Sequence, residues 1–159
     1  MARIEQRLTQ LGIVLPPPMP LPVALPFAWV NVRGDRTFVS GHGAQDEDGS
    51  VPGPFGAVGA DVSLEDANLL ARKTAISMMG SLKRELGDLD RISGWCRVHG
   101  MVRCAPGFID MPRVMNGFSD LIISVFGPEI GRHARTAVGV ASLPMNLSIE
   151  IEAEVMIAP

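Results

Sequence analysis

Apolar residues recur at helical spacing in some stretches of the chain and at alternate positions in others. Residues 2–11 place Ile4, Leu8 and Leu11 on one helical face, and Gly12 stops that helix. Ser63 opens the strongest helical pattern, in which Ala67, Leu70, Ala71, Ala75, Met78, Leu82 and Leu86 share a stripe. Asp66 stands at near capping-box spacing from Ser63, Lys83 and Arg84 suit the C-terminal dipole, and Gly87 ends the helix. A second long helix is predicted from about Met111 to Phe126, with Val114, Met115, Phe118, Leu121, Ile122 and Val125 on its buried side. Asp110 is its expected cap, Pro112 sits in its first turn, and Gly127-Pro128 closes it.

The strand patterns lie between and after these helices. Ala28 to Val32 and Arg36 to Ser40 flank the turn Arg33-Gly34-Asp35. In residues 91–104, Ile92, Gly94, Cys96, Val98, Gly100 and Val102 alternate with Trp95, Arg97, His99, Met101 and Arg103, predicting one apolar and one mixed face. Residues 135–142 and 147–157 are β-patterned around a break at Leu143-Pro144-Met145-Asn146. The order β-β-α-β-α-β-β predicts an α+β fold with both long helices on one face of the sheet. Local rules alone would pair the last two strands as a hairpin.

Residues 16–26 hold Pro16, Pro17, Pro18, Pro20, Pro22 and Pro26, so this segment is expected to be stiff, extended and on the surface. At 159 residues the chain is expected to form one domain, 1–159, with 1–22 as an N-terminal helix and proline-rich extension. Hydrophobic residues make up 47% and charged ones 19%, and the mean hydropathy is +0.23. That surplus predicts a buried subunit interface rather than a membrane span, because no run approaches the ~20 apolar residues a span needs. A net charge of −3 gives no electrostatic footprint for nucleic acid. The order of charge and hydrophobicity at Met-Ala-Arg-Ile-Glu-Gln-Arg does not suit a secretory signal, so a cytoplasmic location is expected.

Neither metal nor cofactor is expected. Cys96 and Cys104 are too far apart along one strand to bridge, and by parity with Ile92, Val98 and Val102 both read as small core residues. His42, His99 and His133 are scattered, and the acidic turn Asp46-Glu47-Asp48-Gly49 lacks a calcium-loop pattern. Gly41-His42-Gly43 lets backbone approach a ligand but is not followed by the residues of a phosphate loop.

The last strands carry the sharpest chemistry. Ile149, Ile151, Ala153 and Val155 alternate with Glu150, Glu152 and Glu154, leaving one face of carboxylates. Arg135 stands among small residues, Ala134, Ala137, Gly139 and Ala141, where its guanidinium is able to dock a carboxylate through paired hydrogen bonds. An internal Arg–Glu pair that merely holds the sheet is the other reading of the same residues. If subunits pack these sheets together, His99 and Arg103 are expected as partners of Glu152 or Glu154.

Arg135-Thr136-Ala137-Val138, Ala141-Ser142-Leu143-Pro144 and Ile149-Glu150-Ile151-Glu152-Ala153 resemble the C-terminal signature of the YjgF/Rid family of reactive-intermediate (enamine/imine) deaminases. The resemblance extends to Phe38-Val39-Ser40-Gly41, to the helix ending in Gly87-Asp88-Leu89, and to Asn116. It implies a chorismate-mutase-like fold in which strand 91–104 lies between the last two strands. It also implies a homotrimer with ligand clefts between subunits. By that resemblance Arg135 holds a substrate carboxylate, Glu150 positions or activates water, and Asn116 with Ser40-Gly41 shapes the cleft. The sequence departs from the family pattern at Phe27, where an aromatic hydroxyl is usual, at Ala137, where a small polar or thiol residue is common, and at His42, where glutamine is usual. His42 is thereby a candidate for acid–base chemistry. The implied reaction hydrolyses 2-imino or enamino acids to 2-keto acid and ammonia. The alternatives are a non-catalytic trimer that binds 2-keto acids and, disfavoured by the acidic composition, an endoribonuclease.

Overall fold

The protein is described by a computed structural model over residues 2–158; Met1 and Pro159, the ends of the expected domain, lie outside the described residues. One sheet has the order β1-β2-β5-β3-β4, built from Val30–Arg33, Arg36–His42, Ile149–Ile157, Ile92–Arg103 and Ala134–Val140 respectively. β3 runs parallel to β4, and the other neighbours are antiparallel. The last two strands therefore do not form the hairpin that local rules favour. Strand β3, the longest at 12 residues, inserts between them and has both edges paired, as the family resemblance implies.

Helices α2 (Leu64–Leu86) and α3 (Met111–Phe126) pack on one face of this sheet. The Ser63 hydroxyl accepts the Asp66 N–H at 3.0 Å, as expected of the cap. Asp110 behaves differently from expectation: it makes no side-chain cap, and its carboxylate faces Arg113 at 3.6 Å. Helix α1 (Arg3–Gln10) buries Ile4 and Leu8, and its first amides donate to the Asp90 carboxylate at 2.6 and 2.9 Å. A short helix α4 (Pro128–Gly131) leads into β4.

Parity along β3 is not what simple alternation predicts. The pairing of β3 with β5 shifts between Ile92 and Gly94 and again between Trp95 and Arg97. An extra residue in one strand flips every side chain beyond it to the other face. Trp95, expected on the mixed face, is consequently buried against Phe118 and Phe126, with ring centroids 5.9 and 5.6 Å away. Cys96, expected in the core, is half-buried instead, close enough to Glu154 for that carboxylate to help raise its pKa. Cys104 packs half-buried against the core, and both thiols are free.

The sheet face opposite the helices is open in the protomer. Glu150, Glu152, Glu154 and Met156 project from β5, flanked across the strands by Arg97, His99 and Met101 and by Phe38. Glu154 pairs with Arg36, and Arg103 donates to the Asn146 side chain, so within the protomer neither Arg103 nor His99 is the ion-pair partner expected for these glutamates. Phe38 and Met156, diagonal neighbours across β2 and β5 at one end of this patch, remain 39% and 42% exposed.

Candidate active site

Arg135 lies on the edge strand β4 in register with Val98, which is fully buried beneath the helices. Its side chain is therefore on the helix face, where α3 meets it. Nη1 donates to Asn116 Oδ1 and to Ser119 Oγ, both at 3.0 Å, and Nη2 donates to the Pro112 carbonyl at 3.2 Å. Every one of these acceptors is neutral. Among the described residues no ion pair engages this guanidinium. Burial pushes its pKa down while Asp120 pulls it up, and an arginine so placed stays cationic at neutral pH. The internal Arg–Glu pair weighed from the sequence is not formed.

Ser119 and His133 hold this group from behind, and the sequence reading did not find them. His133 Nδ1 lies 2.7 Å from the Gly131 carbonyl, so that nitrogen carries the proton. Nε2 then accepts the Ser119 O–H at 3.0 Å, and the Ser119 oxygen accepts from Arg135. The available sequence signal was the i, i+3 spacing of Asn116 and Ser119 on α3. Burial, with Arg135 adding to it against the Gly131 carbonyl, lowers the His133 pKa, which keeps the ring neutral near pH 7. Ser119→Ala should loosen the guanidinium and raise KM for a carboxylate substrate about fivefold with kcat little changed. Steady-state kinetics check this, and an unchanged KM would show the serine to be irrelevant to the clamp.

Glu150 occupies the other face of the sheet, in register with Met101. Its carboxyl lies directly over Gly41 of β2, where any Cβ would collide with it. Ser40, next to Gly41, ties its hydroxyl to the Ala28 carbonyl at 2.8 Å. Burial raises the Glu150 pKa, and Glu152 on the same face raises it further. If this carboxylate takes a proton from water, the acid limb of kcat/KM should lie above the ordinary glutamate value. Glu152→Gln should then move that limb toward lower pH. A limb unmoved in the pH–rate profile would remove Glu150 from that role.

Two strand spacings and about three residues of offset put the Cα atoms of Arg135 and Glu150 roughly 14 Å apart, with side chains on opposite faces. One protomer does not bring them together. Ala137 lies two residues beyond Arg135, in register with Gly100, and packs half-buried against the core. Phe27 and His42 go elsewhere again. A register shift between Val39 and His42 turns the imidazole into the helix layer, away from Glu150. There Nδ1 meets the Ser40 carbonyl at 2.6 Å and Nε2 meets Ser81 Oγ at 2.8 Å. Burial, with Arg84 adding to it against the Ser40 carbonyl, pushes the His42 pKa down to about 4. Phe27 is half-exposed and packs edge-on against Trp29 at 5.5 Å. Among the described residues no group of side chains suited to a metal ion occurs, and no helix is long and apolar enough to cross a membrane.

A mixed sheet with a helix layer on one face, an edge arginine and a face of carboxylates define a chorismate-mutase-like α+β protein. The family described as "YjgF/chorismate mutase-like, putative endoribonuclease" matches residues 49–153, and the chain belongs to it. Protein TCP17 of Trypanosoma cruzi is 37% identical over 151 residues, covering 95% of this chain and 92% of its own. The Agrobacterium tumefaciens protein Atu1372, a crystal structure described as of unknown function, is 37% identical with a TM-score of 0.86, covering 98% of this chain and 92% of its own. A "putative endoribonuclease" from Shewanella oneidensis shares the fold at 24% identity and a TM-score of 0.88, with 97% and 99% of the two chains covered.

Proposed function

We propose that the protein is a hydrolytic deaminase of reactive 2-imino acids and their 2-aminoacrylate tautomers, acting in clefts between the subunits of a homotrimer. The observation that carries this reading is the Arg135 guanidinium, half-exposed at a sheet edge and hydrogen-bonded only to neutral acceptors. A preoriented cation without a carboxylate partner suits a carboxylate guest, which it grips through two parallel bonds. Glu150, on the open sheet face, complements it when the edge of one protomer meets the face of the next. Asn116 backs the arginine, and the Ser40-Gly41 backbone lies beneath the glutamate.

In the reaction, water adds to the imine carbon while the Glu150 carboxylate accepts a proton from it. Glu150 returns that proton to the nitrogen of the tetrahedral adduct, and as the C–N bond breaks the hydroxyl proton passes to the departing nitrogen, giving ammonia and the carbonyl of the 2-keto acid. Orientation of water and clamping of the carboxylate supply the acceleration, and the chemistry calls for no cofactor. His42, sealed in the helix layer, and Phe27, packed against Trp29, have no place in this sequence of steps.

Imines generated in situ by an amino-acid oxidase, with semicarbazide competing for them, test the activity. The expected result is keto acid formed faster in the presence of protein, with ammonia released in equal amount. Thermal stabilisation by 2-keto acids without turnover would instead make the protein a metabolite-binding trimer. The net charge of −3 disfavours RNA as substrate, whatever the Shewanella relative is called.

A further inference from the structure

The proline-rich segment has no part in the cleft described above, yet it builds something. Residues 16–26 start against α2, where a Cβ on Gly80 would stand 3.2 Å from the Pro16 carbonyl oxygen. Between this strap, the start of β1 and α2 lies a cavity of about 470 Å³, on the helix side of the sheet and so separate from Glu150. Proline fixes φ, so the wall keeps its shape without help from a sheet.

The cavity floor is polar and internally satisfied. Ser77 donates to Gln45 at 2.6 Å, Gln45 donates to the Gly49 carbonyl at 3.0 Å, and both nitrogens of His42 are engaged. A metal finds no free imidazole there. Leu25, Phe27 and Trp29 supply an apolar wall, with the Trp29 ring tilted against His42 at a centroid distance of 5.0 Å. Arg84 stands at the rim, exposed. Nη1 donates to the Pro16 carbonyl and Nη2 to Ser81 Oγ, each at 2.9 Å, leaving the rest of its five N–H donors for a guest. No ion pair engages Arg84 among the described residues. Glu85 also lines the rim and selects against a second negative charge.

We propose that this cavity is a second small-molecule site, taking an apolar monocarboxylate whose acid group meets Arg84 and whose body lies against Trp29, Phe27 and Leu25. Its volume falls within the range of small-ligand pockets, and an apolar chamber with one charged anchor is the usual composition of such sites. Strap and helix α2 thus act together, the first as a rigid wall and the second as the source of the anchor.

The chain has two tryptophans, and Trp95 is buried in the core, so Trp95→Phe leaves Trp29 as sole reporter of the cavity. The Trp95 indole N–H has no partner, so its loss breaks no hydrogen bond, and phenylalanine keeps an aromatic ring against Phe118 and Phe126. Titration of this variant with phenylacetate should change Trp29 emission saturably, about tenfold more tightly than phenylacetamide, its neutral isostere. Arg84→Gln should abolish the preference for the acid, Arg84→Lys should keep part of it, and Arg135→Ala should leave it untouched. The acid-over-amide comparison needs no Arg84 variant, so it stands even where a substitution loosens the strap. Equal affinity for acid and amide, no saturable change, a preference surviving Arg84→Gln, or its loss in Arg135→Ala would each overturn the site. The last outcome would place the bound acid in the intersubunit cleft, which the proposed deaminase reading concerns.

Discussion

Arg135→Ala should lower kcat/KM for 2-imino acids by roughly a thousandfold while the protein keeps its fold. A guanidinium gripping a carboxylate contributes two charge-assisted hydrogen bonds, each of about 1.5–3 kcal/mol, and about 4 kcal/mol corresponds to that factor. Most of the loss belongs in KM, because the clamp holds substrate and transition state alike. Part belongs in kcat, because an untethered imine no longer meets the oriented water. The fold survives because Asn116 Oδ1 and the Pro112 carbonyl belong to exposed residues and turn to water, while the buried Ser119 hydroxyl keeps its bond to His133. Arg135→Lys keeps the charge but loses the fork, and should fall between the two. Semicarbazide competition with oxidase-generated imines measures all three proteins. Turnover by Arg135→Ala within a few-fold of the unsubstituted protein would refute the clamp.

Gly117→Ala should be the most damaging small substitution for stability, at about 3 kcal/mol and roughly 10 °C in melting midpoint. Gly117 lies where α3 crosses α2, and a Cβ there would sit on the Asn68 carbonyl oxygen, part of the α2 backbone. Backbone has no rotamer in which to retreat, so the helices must separate. Separation also breaks the bridge from Asn68 Nδ2 to the Arg113 carbonyl at 2.9 Å. Because α3 carries Asn116 and Ser119, the arginine clamp shifts with it, and activity should fall along with stability. Gly94→Ala is the matched control, since no atom lies within 4 Å of the added methyl, and it should melt close to the parent. Thermal unfolding followed by circular dichroism compares them, and an unshifted midpoint for Gly117→Ala would contradict the packing.

Which parts of this were legible in the sequence follows from the range of the forces involved. The stripe from Ala67 to Leu86 and the alternation from Ile149 to Val155 are local periodicities, and both elements appear within a residue or two of their predicted bounds. Strand order is non-local: nothing within 135–157 says that β3 lies between its two strands, and only the family resemblance supplied it. Bulges defeated parity at Trp95 and Cys96, because a single inserted residue leaves no mark in composition. Arg135, Asn116 and Glu150 were found as residue types in a family pattern. Ser119 and His133 were not, since their role depends on how α3 and the turn before β4 meet in space. Arg84 read as a helix-dipole charge, and its place at the mouth of a cavity exists only once the strap is laid against α2.

The central claim is that Arg135 of one protomer and Glu150 of its neighbour make one site, since a single protomer holds them on opposite faces of its sheet. Subunit mixing tests it most directly. Arg135→Ala and Glu150→Ala proteins, each inactive alone, are unfolded together in equal amounts and refolded. Random trimers then contain intact pairs wherever an unaltered arginine meets an unaltered glutamate, and about a quarter of the parent activity should return. Mixed trimers as inactive as either component would contradict the account.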